Sequence, residues 1–150
     1  ANHWRKSLGD GLGTGIGVVR SILLSRPVDL DLEIDGTGHS LAQVNNLSIL
    51  KNPHIASGMK LNVNLQADDG KLVLVGVHGQ SRLGLCTLLP GFYSGKASGS
   101  KAVFIQECSK VIVRSTVSQE IEFDGDPRGG LPAEMQTLPR VLNLLGGSHE

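Results

Sequence analysis

Two acidic turns hold the side chains best suited to chemistry. "QADDGKL" sets Asp68 and Asp69 ahead of Gly70, and "EIEFDGDPRGG" carries Glu120, Glu122, Asp124 and Asp126, the last two flanking Gly125. A carboxylate beside backbone carbonyls can hold a hard cation such as Mg²⁺, which takes oxygen ligands and keeps several waters. A carboxylate within reach of a hydroxyl can act as its general base, which phosphoryl transfer to an alcohol requires. By spacing alone each stretch reads as a plain structural turn, since Asp-Gly between alternating apolar and polar residues is a strong hairpin signal.

Other reactive signatures are weak. His3, His39, His54, His78 and His149 have no partners at ligand spacing and read as structural or surface residues. No Gly-x-Ser-x-Gly elbow occurs. Cys86 and Cys108 are too few for a disulfide framework or a zinc site, and their apolar neighbours predict two buried thiols in a reducing compartment. Glycines at 9, 11, 13, 15 and 17 resemble a phosphate loop, but Thr14, Ile16 and Val18 stand where a third glycine of Gly-x-Gly-x-x-Gly belongs. No Gly-Lys-Ser/Thr follows, so this stretch reads as a flexible connection.

Strands must position the two turns. Val28, Leu30, Leu32 and Ile34 alternate with Asp29, Asp31, Glu33 and Asp35, a strand with one buried face that ends at Asp35-Gly36-Thr37-Gly38. A return strand is expected near 39–50, and "KLVLVGVHG" at 71–79 is the next strong one. Further strands are expected near 59–65, 101–106 and 109–115, on both sides of Asp124-Gly125, and at 139–145. One helix is predicted over 81–95, capped by Ser81 and stopped at Pro90-Gly91. Strands spaced about ten residues apart point to an antiparallel β-sandwich, with one or two short helices, in place of a parallel βαβ sheet.

Composition bounds the function. The 150 residues suffice for one domain, residues 1–150, with one core. Fourteen basic residues balance fourteen acidic ones, so nothing builds the basic field that nucleic acid demands. No apolar run reaches the roughly 18 residues of a bilayer span, and the start lacks a signal peptide's apolar core, so a soluble cytoplasmic protein is expected.

Three segments in order shift the balance toward chemistry. "ANHWRKSLG", "VNNLSILKNPHIASGMKLNVNLQADDGKLVLVGV" and "QEIEFDGDP" together resemble the C-terminal domain of the diacylglycerol kinase catalytic family, which includes bacterial lipid kinases and sphingosine kinases. The resemblance implies an NAD kinase/diacylglycerol kinase-like β-sandwich that forms the C-terminal half of a two-domain, ATP-dependent lipid kinase. The other half, which would carry the Gly-Gly-Asp-Gly-Thr nucleotide loop, is absent from this chain. The family's pattern places the general base at Asp126 and Mg²⁺ at Asp69 with the carbonyls of Gln66 and Lys71, and it aligns Asn2 with a nucleotide-side asparagine. Asp126, whose side chain is shorter by one carbon-carbon bond of about 1.5 Å, stands where the family usually carries Glu.

The implied cofactors are Mg²⁺ and ATP, the latter bound mainly by the other half. The implied partners are that N-terminal half and a lipid acceptor of the diacylglycerol or sphingoid kind. Membrane contact would be peripheral, at the inner face, and exposed Leu and Val offer a surface for a homodimer. By itself the domain is expected to be inactive, as it has no nucleotide loop. Two alternatives stay open: a non-catalytic β-sandwich module that binds lipid or protein, and a small-molecule kinase related to NAD kinase.

Overall fold

The computed structural model describes residues 26–54, 59, 61–66, 68–124 and 126–141. In chain order these form β1 (Val28–Ile34), β2 (Thr37–Leu50), β3 (Leu72–His78), α1 (Arg82–Tyr93), a short 3₁₀ turn (Ala97–Gly99), β4 (Val103–Cys108), β5 (Lys110–Ser115), β6 (Glu120–Phe123), β7 (Asp126–Gly130) and β8 (Ala133–Gln136). Six strands make one sheet in the order β4-β3-β2-β1-β5-β8, and β6 and β7 form a separate two-stranded ribbon. All pairings are antiparallel. The expected mainly β, antiparallel class is therefore the class observed.

The alternation read in β1 is what folds it. Leu30, Leu32 and Ile34 are buried, whereas Asp29, Asp31 and Asp35 face solvent and Glu33 is half-buried. Ile34 pairs with Thr37, so Asp35 and Gly36 make the two-residue hairpin, both with positive φ, at 46° and 82°. That geometry is a type I′ turn, whose twist matches the strands it joins. The Asp35 side chain also reaches across the sheet. Its carboxylate accepts the backbone N–H groups of Ser109 at 3.0 Å and Lys110 at 2.9 Å, which fixes the corner between β4 and β5.

β3 is apolar on both faces. Leu74 joins a cluster with Leu30, Leu32, Ile34, Val44, Val111 and Val113. Val73, Val75 and Val77 point to the opposite face, against Leu61, Phe92, Ala97 and Val103. A continuous apolar run is what a strand covered on both sides requires. The cover on the second face is α1 together with residues 61–66.

Three expectations need correction. The strand at 59–65 is not formed by the described residues there: residues 61–66 make no strand pairing, although Leu61, Val63 and Leu65 turn toward the second cluster. Their alternation reflects contact with a sheet's face, and a backbone bond runs from the Leu61 N–H to the Pro53 carbonyl at 2.9 Å. Helix α1 begins where expected, with Ser81 Oγ accepting the Gly84 N–H, but it continues past Pro90 to Tyr93. Proline disfavours a helix interior through its missing donor and its ring, but Phe92, buried in the second cluster, holds the last turn in place. The last strand is Ala133–Gln136, paired with β5; residues 139–141 are not strand, and 142–145 lie outside the described residues.

The two-faced burial of β3 predicts where stability resides. Leu74→Ala, at a fully buried site, should lower the unfolding free energy by about 2–5 kcal/mol in urea denaturation. Leu83→Ala, at a residue 81% exposed, should change it by less than about 0.5 kcal/mol. Equal losses at the two sites would contradict this account of the core.

Candidate active site

The first acidic turn is built by strand register. Leu50 at the end of β2 pairs with Val73 near the start of β3, so the next residue, Lys51, falls beside Lys71 and Leu72. Gly70, with φ of 68°, makes the bend that brings Asp69 between Gln66 and Lys71. Asp69 closes it: Oδ2 accepts the Gln66 N–H at 2.8 Å and Oδ1 accepts the Lys71 N–H at 2.9 Å. From the other side, Thr137 Oγ1 donates to the Gly70 carbonyl at 2.6 Å.

Lys51 occupies the centre of this turn. Its Nζ donates to the Gln66 carbonyl at 2.8 Å, the Lys71 carbonyl at 2.8 Å and Asp69 Oδ1 at 2.5 Å. The Lys51 hydrogen bond, followed by the two amide donors, holds the Asp69 carboxyl well below the usual carboxylate range. The Lys71 side chain turns away to Glu107, at 2.8 Å, and that partner raises its ammonium pKa. The three groups named as Mg²⁺ ligands thus converge on one point, and the cation at that point is an ammonium. One carboxylate and two carbonyls suit a hard cation, and as arranged they surround Nζ. Among the described residues no group of three or more His, Cys, Asp or Glu gathers to hold a metal.

The second acidic turn stands apart. Phe123 pairs with Asp126, so the chain reverses directly after β6, with Asp124 at φ of 51°. Asp tolerates this left-handed conformation better than most residues. Asp126 is the first residue of β7, a strand exposed throughout its described length. No ion pair joins it to another described residue. Glu120 and Glu122 are likewise exposed, as ordinary outward positions of β6. Among the described residues, no side-chain hydrogen bond connects this ribbon to the Asp69 turn. Asn2 and the glycine-rich stretch at 9–17 lie outside the described residues.

Similarity to known proteins bears directly on this arrangement. Residues 3–146 match the model of the YegS C-terminal NAD kinase beta sandwich-like domain. The chain belongs to that family. Two solved structures from Bacillus anthracis str. Sterne, one described as a putative diacylglycerol kinase and the other as a diacylglycerol kinase, share the fold of this YegS-type domain. One has a TM-score of 0.66 at 14% identity, over 86% of this chain and 44% of its own. The other has a TM-score of 0.65 at 14% identity, over 90% of this chain and 45% of its own. The domain therefore spans less than half the length of these structures. No curated protein matches it in sequence.

Lys51 is the residue of this YegS-type domain that sequence reading missed. A lone lysine after a strand carries no motif, and only the β2–β3 register reveals what it faces. The cysteines divide differently from the expectation of two buried thiols: Cys108 is buried but Cys86 is exposed. Helical spacing explains the second, since Leu85, Leu88 and Phe92 share the inward face of α1 and Cys86 lies off it. Burial, with the Asp35 charge nearby, pushes the Cys108 thiol up to about 11. At pH 8 iodoacetamide should alkylate Cys86 and spare Cys108 in the folded protein, and mass spectrometry of the peptides reads the ratio. Cys108 needs a pH near 11, or unfolding, to form its reactive thiolate. Equal labelling of both at pH 8 would contradict the burial.

Proposed function

We propose that this domain is the acceptor-side half of an ATP-dependent lipid kinase, with Asp126 as the base that deprotonates the lipid hydroxyl. The observation that carries the reading is the Asp126 hairpin within a domain of the YegS family: Asp124 takes the left-handed conformation at the reversal, whereas the exposed Asp126 side chain has no such backbone role. A carboxylate there is fixed by strand pairing at its backbone and open to an incoming substrate at its side chain.

The reaction asks little covalent chemistry of the protein. A lipid hydroxyl oxygen attacks the γ-phosphorus of ATP, the bond from that phosphorus to the bridging oxygen breaks, and ADP leaves. The hydroxyl proton passes to the Asp126 carboxylate. Most of the rate enhancement in such transfers comes from positioning and from neutralising charge on the phosphoryl oxygens. ATP and the Mg²⁺ that accompanies its phosphates belong, in this reading, to the N-terminal half that the diacylglycerol kinase resemblance implies. The domain on its own then transfers no phosphoryl group. Among the described residues no helix is long and apolar enough to cross a membrane, so the lipid would be met at the surface of a bilayer.

The test uses the protein that joins this domain to its nucleotide-binding half. Asp126→Asn should lower turnover with a lipid acceptor by about 10²–10⁴-fold, the usual contribution of a general base. Its unfolding midpoint should stay unchanged, because Asp126 is exposed. Asp124→Asn, which preserves a residue tolerant of the left-handed turn, should keep turnover near normal. Full activity in Asp126→Asn would remove the residue from its role.

A further inference from the structure

Between Asp69 and two backbone carbonyls, where a divalent ion could bind, this chain puts its own Lys51. We propose that the Lys51 ammonium is the permanent cation of the Asp69-Gly70 turn, and that this turn neither binds nor needs a divalent metal. The inference concerns that turn alone and holds whether or not Asp126 serves a kinase.

The stoichiometry of hydrogen bonding carries it. An ammonium group has three N–H donors and no acceptor. Around Nζ stand three oxygens, the carbonyls of Gln66 and Lys71 and Asp69 Oδ1, at 2.8, 2.8 and 2.5 Å. Every donor has one partner. The Asp69 carboxylate accepts three hydrogen bonds, from Lys51 and the Lys71 amide at Oδ1 and from the Gln66 amide at Oδ2. Mg²⁺ seeks octahedral oxygen coordination at about 2.0–2.1 Å and Ca²⁺ six to eight oxygens at about 2.3–2.6 Å. The three protein oxygens would need waters to complete either shell, and the point they share is already filled by Nζ. A metal sharing the site would also set two cations against each other beside a single carboxylate.

The position of the lysine shows what the clip accomplishes. Lys51 follows the last residue of β2, Gln66 ends the segment that covers the second cluster, and Lys71 precedes β3. One ammonium thus ties that covering segment to two neighbouring strands. Residues 61–66 have no ladder of strand bonds, so this tether and the Gln66 N–H bond to Asp69 Oδ2 anchor their far end. The Lys51 side chain is 37% exposed and that of Asp69 19%, so the clip lies at the rim of the sheet, where a dissolved ion could reach it if Nζ withdrew.

The experiment is a thermal unfolding titration of the whole chain, without nucleotide, in EDTA and then in millimolar Mn²⁺ or Mg²⁺. The wild-type midpoint should not move between EDTA and either metal. In EDTA, Lys51→Met, which keeps the aliphatic stem and removes the ammonium, should melt several degrees lower. A wild-type midpoint that climbs with Mn²⁺, with the climb abolished in Asp69→Asn, would overturn the proposal by showing that an ion displaces the lysine. A Lys51→Met protein as stable in EDTA as wild type would overturn it equally. If that variant does not fold, the wild-type titration with its Asp69→Asn control still decides.

Discussion

The double-sided burial of β3 is the constraint on which the described structure depends. A strand with Leu74 on one face and Val73, Val75 and Val77 on the other cannot face water on either side. Burying such side chains contributes on the order of 1.5–3 kcal/mol each. One face is met by residues of β1, β2 and β5, and the other by α1 and residues 61–66. The polar work is then left to the places where the chain enters and leaves this core: the Asp35 corner, the Lys51 clip and the outlying ribbon of β6 and β7.

Those places differ in kind. The Asp35 carboxylate serves backbone amides of a turn far along the chain and so completes the sheet. Asp69 does the same locally and adds a lysine, which makes it a structural anchor in this domain. Asp126 makes no such contribution. Its exposure and its lack of an ion-pair partner among the described residues set it apart from the carboxylates that hold the fold, and in the proposed reading it is the one kept for substrate.

Much of this was legible in the sequence, for identifiable reasons. β1 and the Asp35-Gly36 turn were readable because alternation and turn chemistry agree there, and β3 because its apolar run is uninterrupted. The Ser81 cap was readable from residue type alone. What misled was alternation without pairing: residues 61–66 repeat the strand pattern because they lie along an apolar face, and hydrogen-bond partners are a tertiary matter. Pro90 misled because a tertiary anchor, Phe92, lies beyond it. At the candidate site, the acidic turns were legible as turns, but the cation held by the first was not. Asp69 and Lys51 are eighteen residues apart and meet only through the β2–β3 register.

The central claim, that this domain presents an acceptor hydroxyl to ATP, is tested most directly by acceptor identity. The protein uniting this domain with its nucleotide-binding half would be given γ-labelled ATP with a panel of diacylglycerol, sphingoid base and NAD. The account predicts label in the organic-soluble lipid fraction and none in NAD. Label appearing in NAD alone, or no transfer to any acceptor from a folded, ATP-binding protein, would contradict it.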